Sequence, residues 1–123
     1  SEEYLEFLRQ KGISYLFAGA DGYDYEKALH ILYDEFAMRL VLLDGGGMLN
    51  GLFLKKQLID ELSLVIYPGI DALSGISSIY EYKGKDCEYP AYGQSLELMD
   101  MKQCRDGVIW LKYKIHKKDN NHE

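Results

Sequence analysis

A chain of 123 residues with 47% hydrophobic content carries one domain's worth of sequence and enough apolar surface to build a core. Its formal net charge of −6 argues against a nucleic-acid partner, which selects a basic face, and no apolar run approaches the ~20 residues of a membrane span. The polar opening Ser1-Glu2-Glu3 has no signal-peptide character, and the two cysteines, Cys87 and Cys104, show neither metal spacing nor a disulfide framework, so a reducing cytoplasm with structural thiols is expected.

In chain order, residues 3–11 read as a short helix, with Tyr4, Leu5 and Leu8 on one face and Gly12 placed to end it. Residues 13–18 (ISYLFA) are rich in strand formers. After the loop 19–22, Asp24 is suited to cap a helix running to about Met38, with Ala28, Leu29, Leu32 and Phe36 facing inward. Leu40, Val41, Leu42 and Leu43 form an unbroken apolar run, the pattern of a central strand buried on both faces. Asp44 closes the run, Gly45, Gly46 and Gly47 follow, and Leu49, Leu52 and Phe53 then fall on one helix face. Residues 61–67 (ELSLVIY) predict a strand that Pro68-Gly69 ends.

Residues 71–93 have weak periodicity and predict a long loop of a functional or mobile kind. Residues 95–104 and 108–115 predict a hairpin around Asp106-Gly107, with Ile109, Leu111, Tyr113 and Ile115 alternating against Trp110, Lys112 and Lys114. Residues 1–116 are therefore read as one α/β domain and 117–123 as a polar tail. The alternation of periods implies a mostly parallel sheet with helical crossovers and an antiparallel C-terminal hairpin at one edge. The apolar residues on both faces of 108–115 imply an open edge, and with it a homodimer.

Strand, glycine turn and helix in that order suit an anion. Bare backbone allows close approach, and the free N–H groups of a helix start favour phosphate. A tight turn without ligand fits the same residues. The two common phosphate loops fit poorly: Gly45-x-Gly47-x-x-Asn50 lacks the third glycine of a dinucleotide fingerprint, and Gly51 is followed by Leu52-Phe53 rather than Lys-Ser/Thr. Asp44, at a strand's C-terminal end, either meets a substrate or bonds to the turn's own N–H groups. His30, His116 and His122 have no ligand spacing and predict no metal site. No residue stands out as a nucleophile or an acid–base catalyst.

The segments ISYLFAG (13–19), LLDGGGMLNG (42–51) and LIDELSL (58–64), with the closing DGVIWL (106–111), resemble the reductase domain of the bifunctional deaminase–reductase of riboflavin biosynthesis. That domain is similar in fold to dihydrofolate reductase. The resemblance implies NADPH-dependent reduction of the ribose of a ribosylamino-pyrimidine 5′-phosphate to a ribityl chain. It implies that Gly45, Gly46, Gly47, Leu49 and Asn50, with Ala18 and Gly19, lie at the cofactor, and that Asp44 lies near the pyrimidine nucleotide. It also implies a cis Gly45–Gly46 peptide. Two departures stand out: the family's usual Glu before the glycines is Asp44 here, and the chain matches only the second half of that domain. The alternatives are a nucleotide-binding or dimerising half-domain without turnover, or a dihydrofolate reductase-like enzyme acting on another substrate.

Overall fold

The computed structural model describes residues 1–85 and 87–118 and divides into two units, Ser1–Leu42 and Leu43–Glu123. The first unit holds two helices, α1 (Glu2–Gln10) and α2 (Tyr25–Asp34). Ser1 caps α1, its hydroxyl accepting from the Tyr4 N–H, and Glu2 and Glu3 sit where the helix dipole favours anions. The end of α1 is a Schellman motif: Gly12, at φ +65°, donates to the Arg9 carbonyl at 3.0 Å, and Ile13 donates to the Leu8 carbonyl at 2.9 Å. Asp24 caps α2 as its sequence position suggests, its carboxylate accepting from the Lys27 N–H at 3.0 Å. α2 stops at Asp34, short of Met38, because the chain turns out of the helix through Ala37 at φ +53°.

The second unit holds α3 (Gly47–Lys55), β1 (Glu61–Ile66), β2 (Gln94–Gln103) and β3 (Ile109–Lys117). The strands form one sheet in the order β1-β3-β2, and both pairings are antiparallel. Ile109, Leu111, Tyr113 and Ile115 of β3 meet Ile66, Leu64 and Leu62 on one side and Leu96, Leu98 and Met101 on the other. Ile115 is the buried residue of this face. The opposite face is the wetter one. There the Trp110 indole N–H donates to Ser63 Oγ at 2.7 Å, and the Lys102 ammonium lies 5.2 Å from the Trp110 ring centroid. Asp106 and Gly107 both take positive φ, +58° and +77°, as a hairpin turn of the I′ kind requires.

Four expectations change. The sheet is antiparallel among the described residues, not mostly parallel. Residues 13–18 and 40–43 are not strands, and Leu40 and Leu42 are 80% and 86% exposed rather than buried on both faces. An apolar run becomes a strand only when a neighbouring backbone completes its ladder, and no described segment supplies one. β3 is the central strand and not an edge; among the described residues the free edges belong to β1 and β2. All peptide bonds among the described residues are trans, Gly45–Gly46 included. A cis bond between non-proline residues costs about 2.5–4 kcal/mol and needs surroundings that enforce it.

β3 also extends through His116 and Lys117, so the polar end begins later than the composition suggests. Residues 119–123, the rest of the expected tail, lie outside the described residues. Cys87 and Cys104 are exposed free thiols rather than packed ones.

Candidate functional site

The glycine turn lies in the second unit, where Gly46 is the N-cap of α3. None of Gly45, Gly46 and Gly47 takes a positive φ, so the triplet is not there for backbone conformation. It is there for space, and two of the three yield that space to neighbours within the chain. A Cβ on Gly45 would lie 2.7 Å from Leu49 Cδ2, because the Leu49 side chain folds back over it. A Cβ on Gly47 would collide with the Ser78 carbonyl oxygen. A Cβ on Gly46 would meet nothing within 4 Å. One glycine of the three therefore presents open backbone to an incoming molecule.

The N-terminus of α3 is also electrostatically open. Its cap makes no side-chain hydrogen bond and its first turn carries no acidic residue. The first bond of the helix ladder runs from the Asn50 N–H to the Gly46 carbonyl at 3.1 Å. The N–H groups ahead of it point out of the helix end, where the dipole favours an anion. Asp44 is exposed, and its carboxylate makes no hydrogen bond or ion pair among the described residues, with the turn's N–H groups or otherwise.

Other residues singled out in the sequence have partners within the chain. Asn50 donates its Nδ2 to the Ile79 carbonyl at 3.0 Å, and its Oδ1 is buried without a partner. Ala18 and Gly19 belong to the first unit, where the Ala18 carbonyl accepts from the Asp24 N–H at 3.0 Å and Gly19, at φ +77°, sits in the turn leading to α2.

The sequence reading missed what lies against α3. Gly51 is buried, and a Cβ there would collide with the Glu81 carbonyl. The Glu81 N–H donates to the Gly47 carbonyl at 2.8 Å. Lys55 Nζ pairs with Glu88 Oε1 at 3.0 Å and bonds to the Tyr82 hydroxyl, lying 4.3 Å from that ring's centroid. The hydrogen bond from Lys55 holds the Glu88 carboxyl below its ordinary value of 4.5, helped by the Lys85 N–H. The bond with Tyr82, then that with Glu88, raises the Lys55 ammonium above 10.5. Behind this contact, Leu54, Tyr80, Ala91, Gln94, Leu96 and Ile115 line an apolar cavity of 170 Å³. Burial there pushes the Tyr80 phenol above its ordinary value. The available signal was the spacing Gly47-x₃-Gly51-x₃-Lys55, one stripe of a helix.

A short helix with an uncapped N-terminus behind a glycine turn, in one unit with an antiparallel sheet, defines a class: an α/β domain. Comparison with known proteins narrows it. The family model for the RibD C-terminal domain matches residues 1–71, and the chain belongs to that family. Among solved structures, the chain is similar to Acinetobacter baumannii RibD, form 2, at 27% identity with a TM-score of 0.59. The similarity covers 73% of this chain and 24% of that one. The chain thus spans about a quarter of the length of the RibD chain it matches, and the fold it shares is of the dihydrofolate reductase-like kind.

Proposed function

We propose that this chain contributes the glycine-turn part of an NADPH-dependent reductase. The complete protein would reduce the ribose of a ribosylamino-pyrimidine 5′-phosphate to a ribityl chain. The observation that carries the reading is Gly46: open backbone at an uncapped helix N-terminus, in a chain of the RibD C-terminal family. The residues fit a diphosphate. The backbone N–H groups of Gly46, Gly47, Met48 and Leu49 would hold it, and Leu49, folded over Gly45, keeps the turn closed on its other side. When bound, NADPH supplies the hydride. Asp44, exposed and unpaired among the described residues, would accept hydrogen bonds from substrate hydroxyls and orient them. Orientation is the main service a protein gives to such a transfer. It needs walls on both sides of the cleft, and this chain supplies one, so residues 1–123 alone should show weak or no turnover. We assign the protein to the cytoplasm, where a phosphorylated substrate that cannot cross a membrane would be made and kept.

The test is a pair of variants in the full-length parent. Gly46 has φ −66° and ψ 167°, which a valine adopts without strain, so Gly46→Val fills the approach space and disturbs little else. NADPH affinity, read by nicotinamide fluorescence, should fall by about 100-fold or more as close backbone contacts are lost. Asp44→Ala should keep that affinity and lower the rate of NADPH oxidation by about tenfold or more. Wild-type binding and turnover in Gly46→Val would overturn the cradle.

A second reading concerns association. β2 is a free edge with Leu96, Leu98, Met99 and Met101 all more than half exposed, which favours a role in pairing with a second copy.

A further inference from the structure

One face of α3 is occupied by the chain itself. Gly47, Gly51 and Lys55 fall at i, i+4 and i+8, and segment 78–82 runs over them. It crosses Gly47 and Gly51 at backbone distance, where any side chain would collide with the Ser78 and Glu81 carbonyls. Two hydrogen bonds fasten it: Asn50 Nδ2 to the Ile79 carbonyl at 3.0 Å, and the Glu81 N–H to the Gly47 carbonyl at 2.8 Å. Ser78 and Glu81 brace the segment internally, the Ser78 N–H donating to Glu81 Oε1 at 3.1 Å and its hydroxyl to the Tyr80 carbonyl. At the far end Lys55 ties Tyr82 and Glu88 to the last turn of the helix.

α3 needs this support. It has nine residues, and an isolated helix of that length is marginal. Two of the nine are glycine, the poorest helix former after proline. Its cap has no side-chain bond. Local propensity therefore does not keep the first turn in place.

We propose that segment 78–82 is a strap that fixes the first turn of α3, with Gly51 and Asn50 as positioning residues. That the fixed turn serves a diphosphate rests on the cofactor reading above; the strap itself does not.

Gly51→Ala separates the two. In a free helix the change strengthens the ladder; under a strap it ejects the strap. The experiment is residue-resolved amide exchange on the 123-residue chain, wild type against Gly51→Ala, Asn50→Asp, Lys55→Glu and the double variant Lys55→Glu/Glu88→Lys. Protection of the Glu81 and Asn50 amides should drop by about tenfold in Gly51→Ala, as loss of one backbone hydrogen bond implies. It should drop likewise in Asn50→Asp, and the charge-swapped double variant should recover what Lys55→Glu loses. Equal or higher protection at Asn50 in Gly51→Ala overturns the strap, and so does a Glu81 amide unprotected in the wild type. NADPH titration of the wild type and Gly51→Ala runs in parallel in the full-length parent. An affinity equal in wild type and Gly51→Ala overturns the positioning role. Absence of NADPH binding in a wild type whose exchange follows the expected pattern upholds the strap and removes the cofactor reading instead.

Discussion

Gln57 occupies the position in α3 that Gly12 occupies in α1. Each follows the C-cap in the left-handed region, at φ +55° and +65°, and each begins the same pair of closing bonds: Gln57 N–H to the Leu54 carbonyl at 2.9 Å and Leu58 N–H to the Phe53 carbonyl at 3.0 Å. The left-handed conformation costs a side-chain-bearing residue about 1–2 kcal/mol, and glycine returns part of that as unfolded-state entropy. Gln57→Gly should therefore stabilise the chain by about 0.5–1 kcal/mol. The midpoint of urea unfolding, followed by the fluorescence of the single tryptophan, Trp110, should rise. At the strap, the sign of pH dependence follows from Glu88. Its carboxyl is held below 4.5 by Lys55, so the pairing is fully present above that value and is lost as pH falls through the lowered one. The Tyr82 ring resonances should shift with a midpoint below 4.5, and Glu88→Gln should abolish the step.

The elements differ in how far they could be read. The Gly12 end of α1, the Asp24 cap of α2 and the Asp106-Gly107 turn were legible because one residue type suits each geometry, whereas the Ser1 cap was not read. The alternation of β3 was legible because Ile109, Leu111, Tyr113 and Ile115 share one face and Ile115 is buried on it, while Lys114 and His116 on the other face are exposed. The parallel sheet was not, because an apolar run such as residues 40–43 says how much cover it wants and not which backbone pairs with it. The Gly47-x₃-Gly51 stripe of α3 was not read, and the structure sets both glycines against residues 78–81; spacing alone does not name the neighbour.

β2 shows a subtler case. Leu96 and Leu98 keep a period of two, but the next residue on their face is Met101, three positions on. The register shift between Leu98 and Asp100 explains it: Met99 is an extra residue, and the bulge keeps Leu96, Leu98 and Met101 opposite Ile115, Tyr113 and Leu111. Deleting Met99 should leave the pairing on both sides intact and change the urea midpoint little. Deleting Glu97 instead should turn Leu96 to the wrong face and lower the midpoint strongly, and circular dichroism with the same unfolding curve distinguishes the two.

On the scale of the whole molecule, few apolar side chains are covered. Leu8 and Ile115 are the buried hydrophobic residues among those described, while Ile70, Leu42 and Leu40 stand at 99%, 86% and 80% exposure. Apolar surface on this scale marks a site of association. The isolated chain is expected to pair through the β2 edge into a two-fold dimer. Light scattering at micromolar concentration should give twice the chain mass of 14.2 kDa. Lysine at Leu98 and Met101 should return it to one; a monomer before any substitution removes the idea.

The central position of β3 has a consequence for how the protein is born. β1 is synthesised first, β2 next, and the strand that both need lies last, at residues 109–117. During translation the two outer strands emerge with their hydrogen-bonding groups unanswered, and neither can pair as in the folded sheet until residue 117 has left the ribosome. The tight Asp106-Gly107 turn then lets β2 and β3 zip locally, and β1 joins across the long intervening segment afterwards. Nascent chains stalled before residue 109 would present two bare edges to chaperones and to one another, and should aggregate.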